Sequence, residues 1–116
     1  LDCAASLDGR YLFYVKPDQF GLWQLDLATS QSELIIADFH VDNFYQPSQN
    51  GIYFHRLKNC PGAIYYYDYN SQEVSVVLNE FPGQGYGLTV SADESVISYA
   101  VMDNYQADIV RLAYRR

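Results

Sequence analysis

Few side chains in this 116-residue chain are of types and spacings that do chemistry. Asp38, His40 and Asp42 alternate, so an extended backbone would turn all three to one face, a donor set that suits a hard or borderline metal. They fall between two strand-like runs, where solvated loop residues are the simpler expectation, and no metal or cofactor is assigned to them. His55 ends an apolar run with no ligand partner nearby and reads as a structural or surface histidine. Cys3 and Cys60 lack metal-site spacing; they form a candidate disulfide in an oxidising compartment, the alternative being two separate thiols. Ser91 and Asp93 invite a nucleophile–acid reading, but the pattern returns as Ser6/Asp8 and Ser48/Asn50. A motif repeated along a chain is explained by a turn, because Ser and Asp side chains bind nearby backbone and hold tight turns. The expected structural turns are Ser6, Asp8 and Gly9; Ser48, Asn50 and Gly51; and Ser91 and Asp93. No Gly-x-Ser-x-Gly elbow, His-Glu-x-x-His or Cys-x-x-Cys occurs, and the expected activity is binding, not catalysis.

The elements that carry these residues follow from the repeats. The steps from Ser6 to Ser48 and from Ser48 to Ser91 are 42 and 43 residues. Each landmark precedes an apolar run: Tyr11-Leu12-Phe13-Tyr14-Val15, Ile52-Tyr53-Phe54, and Val96-Ile97-Ser98-Tyr99-Ala100-Val101. A second landmark follows as Leu22-Trp23-Gln24-Leu25-Asp26-Leu27, Ile64-Tyr65-Tyr66-Tyr67-Asp68-Tyr69 and Ile109-Val110-Arg111-Leu112-Ala113-Tyr114. A period of about 40–45 residues with four short strands per unit is the mark of propeller blades. Tyr11 to Val15 and Tyr65 to Tyr67 do not alternate with polar residues, so these strands are expected to be covered on both faces. The Tyr65-Tyr66-Tyr67-Tyr69 cluster is accordingly expected to pack between blades. Gly83-Gln84-Gly85-Tyr86-Gly87 lacks the helix that a dinucleotide loop requires and reads as a connection between blades. The fold class expected is all-β, a β-propeller fragment of about 2.75 four-stranded antiparallel blades, divided at 1–37, 38–79 and 80–116; a simple sandwich is the competing fold.

Fourteen acids against seven Lys and Arg give a formal charge of −7, which disfavours contact with nucleic acid by this segment. No apolar run is long enough for a membrane helix. The third unit stops after its third strand and the chain has no initiator Met; the expectation is therefore the closing end of a longer ring. The partners expected are the rest of that ring or a second copy of the chain.

Ser6-Leu7-Asp8-Gly9-Arg10-Tyr11-Leu12-Phe13-Tyr14 followed by Gly21-Leu22-Trp23-Gln24-Leu25-Asp26-Leu27 resembles the TolB-type propeller repeat, with Leu7, Gln49 and Ala92 where that repeat has Pro. The last unit, from Leu88 to Leu112, is similar to the closing blade of propellers in transmembrane winged-helix regulators of the CadC type. The resemblance implies a periplasmic sensory segment of an inner-membrane regulator, binding a periplasmic protein or small-molecule signal. Two other readings remain open, a TolB-like protein-interaction propeller and the propeller gate of a serine peptidase. Propellers bind with loop-built rims, so the candidate binding rim is Asp38, His40, Asp42, Lys58 and Asn59, beside Cys3 and Cys60.

Overall fold

A computed structural model describes residues 3–40, 44–56, 62–81, 84–103 and 106–113. Every regular element among them is a β-strand. The first sheet holds β1 (Cys3–Ala5), β2 (Tyr11–Tyr14), β3 (Leu22–Asp26) and β4 (Ser32–Ile36) in chain order. The second holds β5 (Tyr45–Pro47), β6 (Gly51–Arg56), β7 (Gly62–Asp68) and β8 (Val74–Phe81), again in chain order. The third holds β9 (Gln84–Val90), β10 (Val96–Asp103) and β11 (Gln106–Ala113). All neighbouring strands are antiparallel.

The sheets stack face to face, which explains the uninterrupted apolar runs. Side chains alternate across a strand. In β6, Ile52 and Phe54 join the core against the first sheet, while Tyr53 between them faces the third. In β7, Tyr67 packs toward the first sheet and Ile64 and Tyr66 toward the third. Phe39, in the connection from β4 to β5, seals the first core through an edge-on contact with Tyr45 and a tilted one with Phe54. The second core is built on the close Tyr53–Tyr66 pair, with ring centroids 4.7 Å apart.

The turns between the first and second strands of each sheet differ in length. Ser6 pairs with Tyr11 and Ser91 with Val96 by backbone hydrogen bonds, whereas Ser48 pairs directly with Gly51, giving a shorter hairpin. Gly51 is thus not the counterpart of Gly9, as the sequence suggests. It closes the turn as the first residue of β6, opposite Asp68. A side chain there would run into the Tyr67 carbonyl and the Tyr66 ring. Gly9 has a left-handed φ of 73° and its true counterpart is Glu94 at 60°. A second departure lies in Gln84–Gly87, expected as a connection but paired to β10 within β9. Residue spacing alone did not separate a Gly-rich strand start from a loop.

Candidate binding site

The first and third Ser-x-Asp turns are built alike. Ser6 donates to Asp8 Oδ1 at 2.7 Å and accepts from the Tyr11 N–H at 3.0 Å, while Asp8 also accepts from the Arg10 N–H. Ser91 donates to Asp93 at 2.8 Å and accepts from Val96 N–H, and Asp93 takes further bonds from the Ser95 hydroxyl and N–H. These bonds favour the charged carboxylate, so both pKa values lie below the usual aspartate value. For Asp8 the Ser6 hydroxyl has the largest effect; for Asp93 it is the Ser95 hydroxyl, then that of Ser91. Ser91 and Asp93 are committed to their turn. Ser48 differs: its hydroxyl is shared between the Gly51 carbonyl and Glu94 Oε1, while Asn50 contributes its carbonyl to the Tyr69 N–H. Glu94 also accepts from the Tyr53 hydroxyl at 2.9 Å and so ties the second sheet to the third.

A matching pair of turns joins the third and fourth strands of the first two sheets. Asp26 Oδ1 accepts from Ala28 and Thr29 N–H; Asp68 Oδ1 accepts from Asn70 and Ser71 N–H. Sequence reading matched these aspartates in the repeat without assigning them this role. The signal was present in Asp-x-x-Ser/Thr spacing, which is weak on its own.

The turns of both kinds project on one rim and frame an open polar cleft of about 780 Å³ between the first and second sheets. Tyr11, Tyr67 and Tyr69 line it, with Gln24 and Glu33 from β3 and β4. Gln49, Asn50, Asn70 and Gln72 come from the turns of the second sheet. Its charges are the carboxylates of Asp8 and Glu33 and the Arg10 guanidinium. Arg10 lies 3.7 Å from Asp26 and over the Tyr11 ring at 4.9 Å. The Tyr67 and Tyr69 hydroxyls are held neutral by burial and by nearby carboxylates. Burial raises the Tyr67 pKa, and Glu33 and Asp68 raise it further; Tyr69 is pushed well above the ordinary range by burial, then by Tyr66 and Asp8. Tyr69 Oη is buried and has no hydrogen-bond partner among the described residues. Sequence reasoning placed Tyr69 with its neighbours in the core; it stacks on Phe13 yet also lines this cleft.

The rim expected from the sequence is the opposite one. Asp38 and His40 are exposed there on either side of buried Phe39, and the His40 ring packs on exposed Phe20 at 5.3 Å. The Gly21 N–H bonds the Phe39 carbonyl and joins the two loops of this rim. Cys3 is exposed at the same end, opposite Tyr14. Asp42, Lys58, Asn59 and Cys60 lie outside the described residues. Among the described residues no three His, Cys, Asp or Glu gather as a metal site. His55 is buried; its Nδ1 accepts from the Phe44 N–H at 3.2 Å, and its ring packs on Phe44, a structural placement.

No protein-family model matches this chain, and no curated protein matches it. Among solved structures, TolB from Acinetobacter baumannii is similar with a TM-score of 0.77 at 19% identity, over 97% of this chain and 29% of that one. The tricorn protease is similar with a TM-score of 0.62 at 15% identity, over 95% of this chain and 12% of that one. This chain thus spans less than a third of the length of either. At these identities the likeness establishes the fold: an all-β segment of a β-propeller, two blades of four strands and one of three described strands.

Proposed function

We propose that this propeller segment is a binding module, without catalysis of its own, and that the turn-rim cleft between its first two blades takes an extended stretch of a partner polypeptide. The observation that carries this reading is the lining of the cleft. Gln24, Gln49, Asn50 and Gln72 each bring both a donor and an acceptor, the pairing that a peptide backbone needs. Tyrosine rings give rigid contact area with a polar tip. Asp8 and Glu33, with Arg10 already engaged, favour a neutral or basic segment over an acidic one.

The test is to pan a random displayed-peptide library against the chain and against the variant Gln49→Ala/Gln72→Ala, two exposed turn residues whose loss leaves the fold intact. Selected peptides should bind the variant about tenfold more weakly, the loss of hydrogen bonds worth about 1.4 kcal/mol. No enrichment, or equal binding to the two, would refute the cleft as the contact.

The similarity of the last unit to closing blades of CadC-type regulators supports a finer proposal. The binding module would be the periplasmic part of an inner-membrane winged-helix regulator, and occupancy of the propeller would bias that regulator between two states. An upstream winged helix and a single membrane helix in the complete gene would support it; a secretion signal or a hydrolase domain there would reject it.

A further inference from the structure

The turn-rim cleft has a side pocket. A second hollow of about 230 Å³ opens beside it on the first sheet, and Tyr11, Gln24 and Glu33 line both. The strand register accounts for this shared wall. Gln24 on β3 lies opposite Glu33 on β4, and Tyr11 on β2 lies opposite Asp26, two residues along β3 from Gln24. Cross-strand partners and residues two apart on a strand share a face, so all four side chains stand on one side of the sheet. Asp26 and Gln31 extend the pocket beyond the wall. Its carboxylates are unequal. Asp26 Oδ1 is held by the turn N–H groups, and Oδ2 lies 3.7 Å from the Arg10 guanidinium. Glu33 is exposed, and its carboxylate has no hydrogen bond or ion pair among the described residues. The Arg10 guanidinium also lies 4.9 Å over the Tyr11 ring, so this wall already holds one cation on an aromatic face.

We propose that this side pocket is the specificity subsite of the cleft and takes a cationic side chain, arginine or lysine, of the bound polypeptide. The inference rests on the reading of the cleft as a peptide site. Continuity carries it: a chain lying in the cleft passes the wall of Tyr11, Gln24 and Glu33, and a side chain turned across that wall enters the pocket. It meets an unengaged carboxylate, the amide oxygens of Gln24 and Gln31, and the Tyr11 ring. A guanidinium or ammonium has donors and no acceptor, so each of these groups suits it. An acidic side chain would face Glu33 and Asp26, and an apolar one would strip water from the Glu33 carboxylate without replacing it. The charges lining cleft and pocket agree: Asp8, Asp26 and Glu33 stand against Arg10 alone. The field of Glu33 extends across the cleft, where it adds to the effect of burial in raising the Tyr67 pKa.

The probes are the peptides selected on the chain from the displayed library, made synthetically with each Arg or Lys replaced in turn by norleucine. Their affinities are measured for the chain, for Glu33→Gln and for Asp18→Asn. The selected peptides should share one cationic position, and norleucine there should weaken binding to the chain about fivefold. On Glu33→Gln the same replacement should cost less than about twofold, the non-additivity of a direct pair. Asp18→Asn removes an equal charge from the opposite rim, at an exposed position whose φ of 63° suits Asn, and should keep the norleucine loss in full. Selected peptides without a shared cation, or a norleucine loss of the same size on Glu33→Gln, would overturn the subsite while the cleft stands. Failure to select any peptide that depends on Gln49 and Gln72 would remove the cleft reading and the subsite with it.

Discussion

Single residues hold the turns, and their chemistry gives the chain an acid-sensitive edge. Asp8 and Asp93 accept hydrogen bonds only as effective carboxylates, so folding lowers both pKa values. A depressed carboxylate contributes stability above its unfolded value of about 3.9, and that contribution disappears as pH falls through the folded value. Thermal melts taken from neutral pH down to the acid range should therefore show a falling midpoint below about pH 4. Asp8→Asn and Asp93→Asn should flatten that fall. The turn residues were readable in the sequence because Ser and Asp recur at one spacing. Glu94 was not: nothing in Ser91-Ala92-Asp93-Glu94 says that its carboxylate reaches the Tyr53 hydroxyl of another blade.

At the scale of the element, two glycines of similar sequence context do different work. Gly9 has open space around it and a left-handed φ, so Gly9→Ala costs only the backbone preference, about 1–2 kcal/mol. Gly51 has an ordinary φ but no room, since the obstructing atoms include the main chain of β7. Gly51→Ala should cost about 3 kcal/mol or more and splay β6 from β7. Urea midpoints of the two variants would order them, with Gly51→Ala the lower. The hydrophobic pattern disclosed the strands because both faces of a middle blade are covered. It did not disclose that the second hairpin is shorter, since Asn50-Gly51 and Asp8-Gly9 look alike until their backbone pairings are compared.

For the whole molecule, the blade interfaces are aromatic and bury hydroxyls. Burial raises the pKa values of Tyr67, Tyr69 and Tyr99 and keeps each neutral. A raised tyrosine stabilises the fold below its unfolded value of about 10, and that contribution is lost as pH rises through the folded value. In an alkaline titration read at the tyrosinate absorbance, Tyr67, Tyr69 and Tyr99 should ionise above the usual tyrosine value, together with the loss of far-UV circular dichroism. Their ionisation before unfolding would contradict the packing.

The sequence by itself determined the repeat, the strands within it and the stacking of sheets, because these depend on local turn chemistry and on which strands are apolar on both faces. It carried Ser6, Asp8, Ser91 and Asp93 into their turns for the same reason. Tertiary structure alone decided where the cleft lies. Gln24, Glu33, Gln49, Gln72 and Tyr69 are unremarkable in their own repeats and become neighbours only when two blades stack. It also decided that Tyr53 faces the third sheet while Ile52 and Phe54 face the first, since that depends on which sheet lies beside which. Spacing along the chain singled out Asp38, His40 and Asp42 for a candidate binding rim; it carries no signal for the cleft, which lies on the opposite rim.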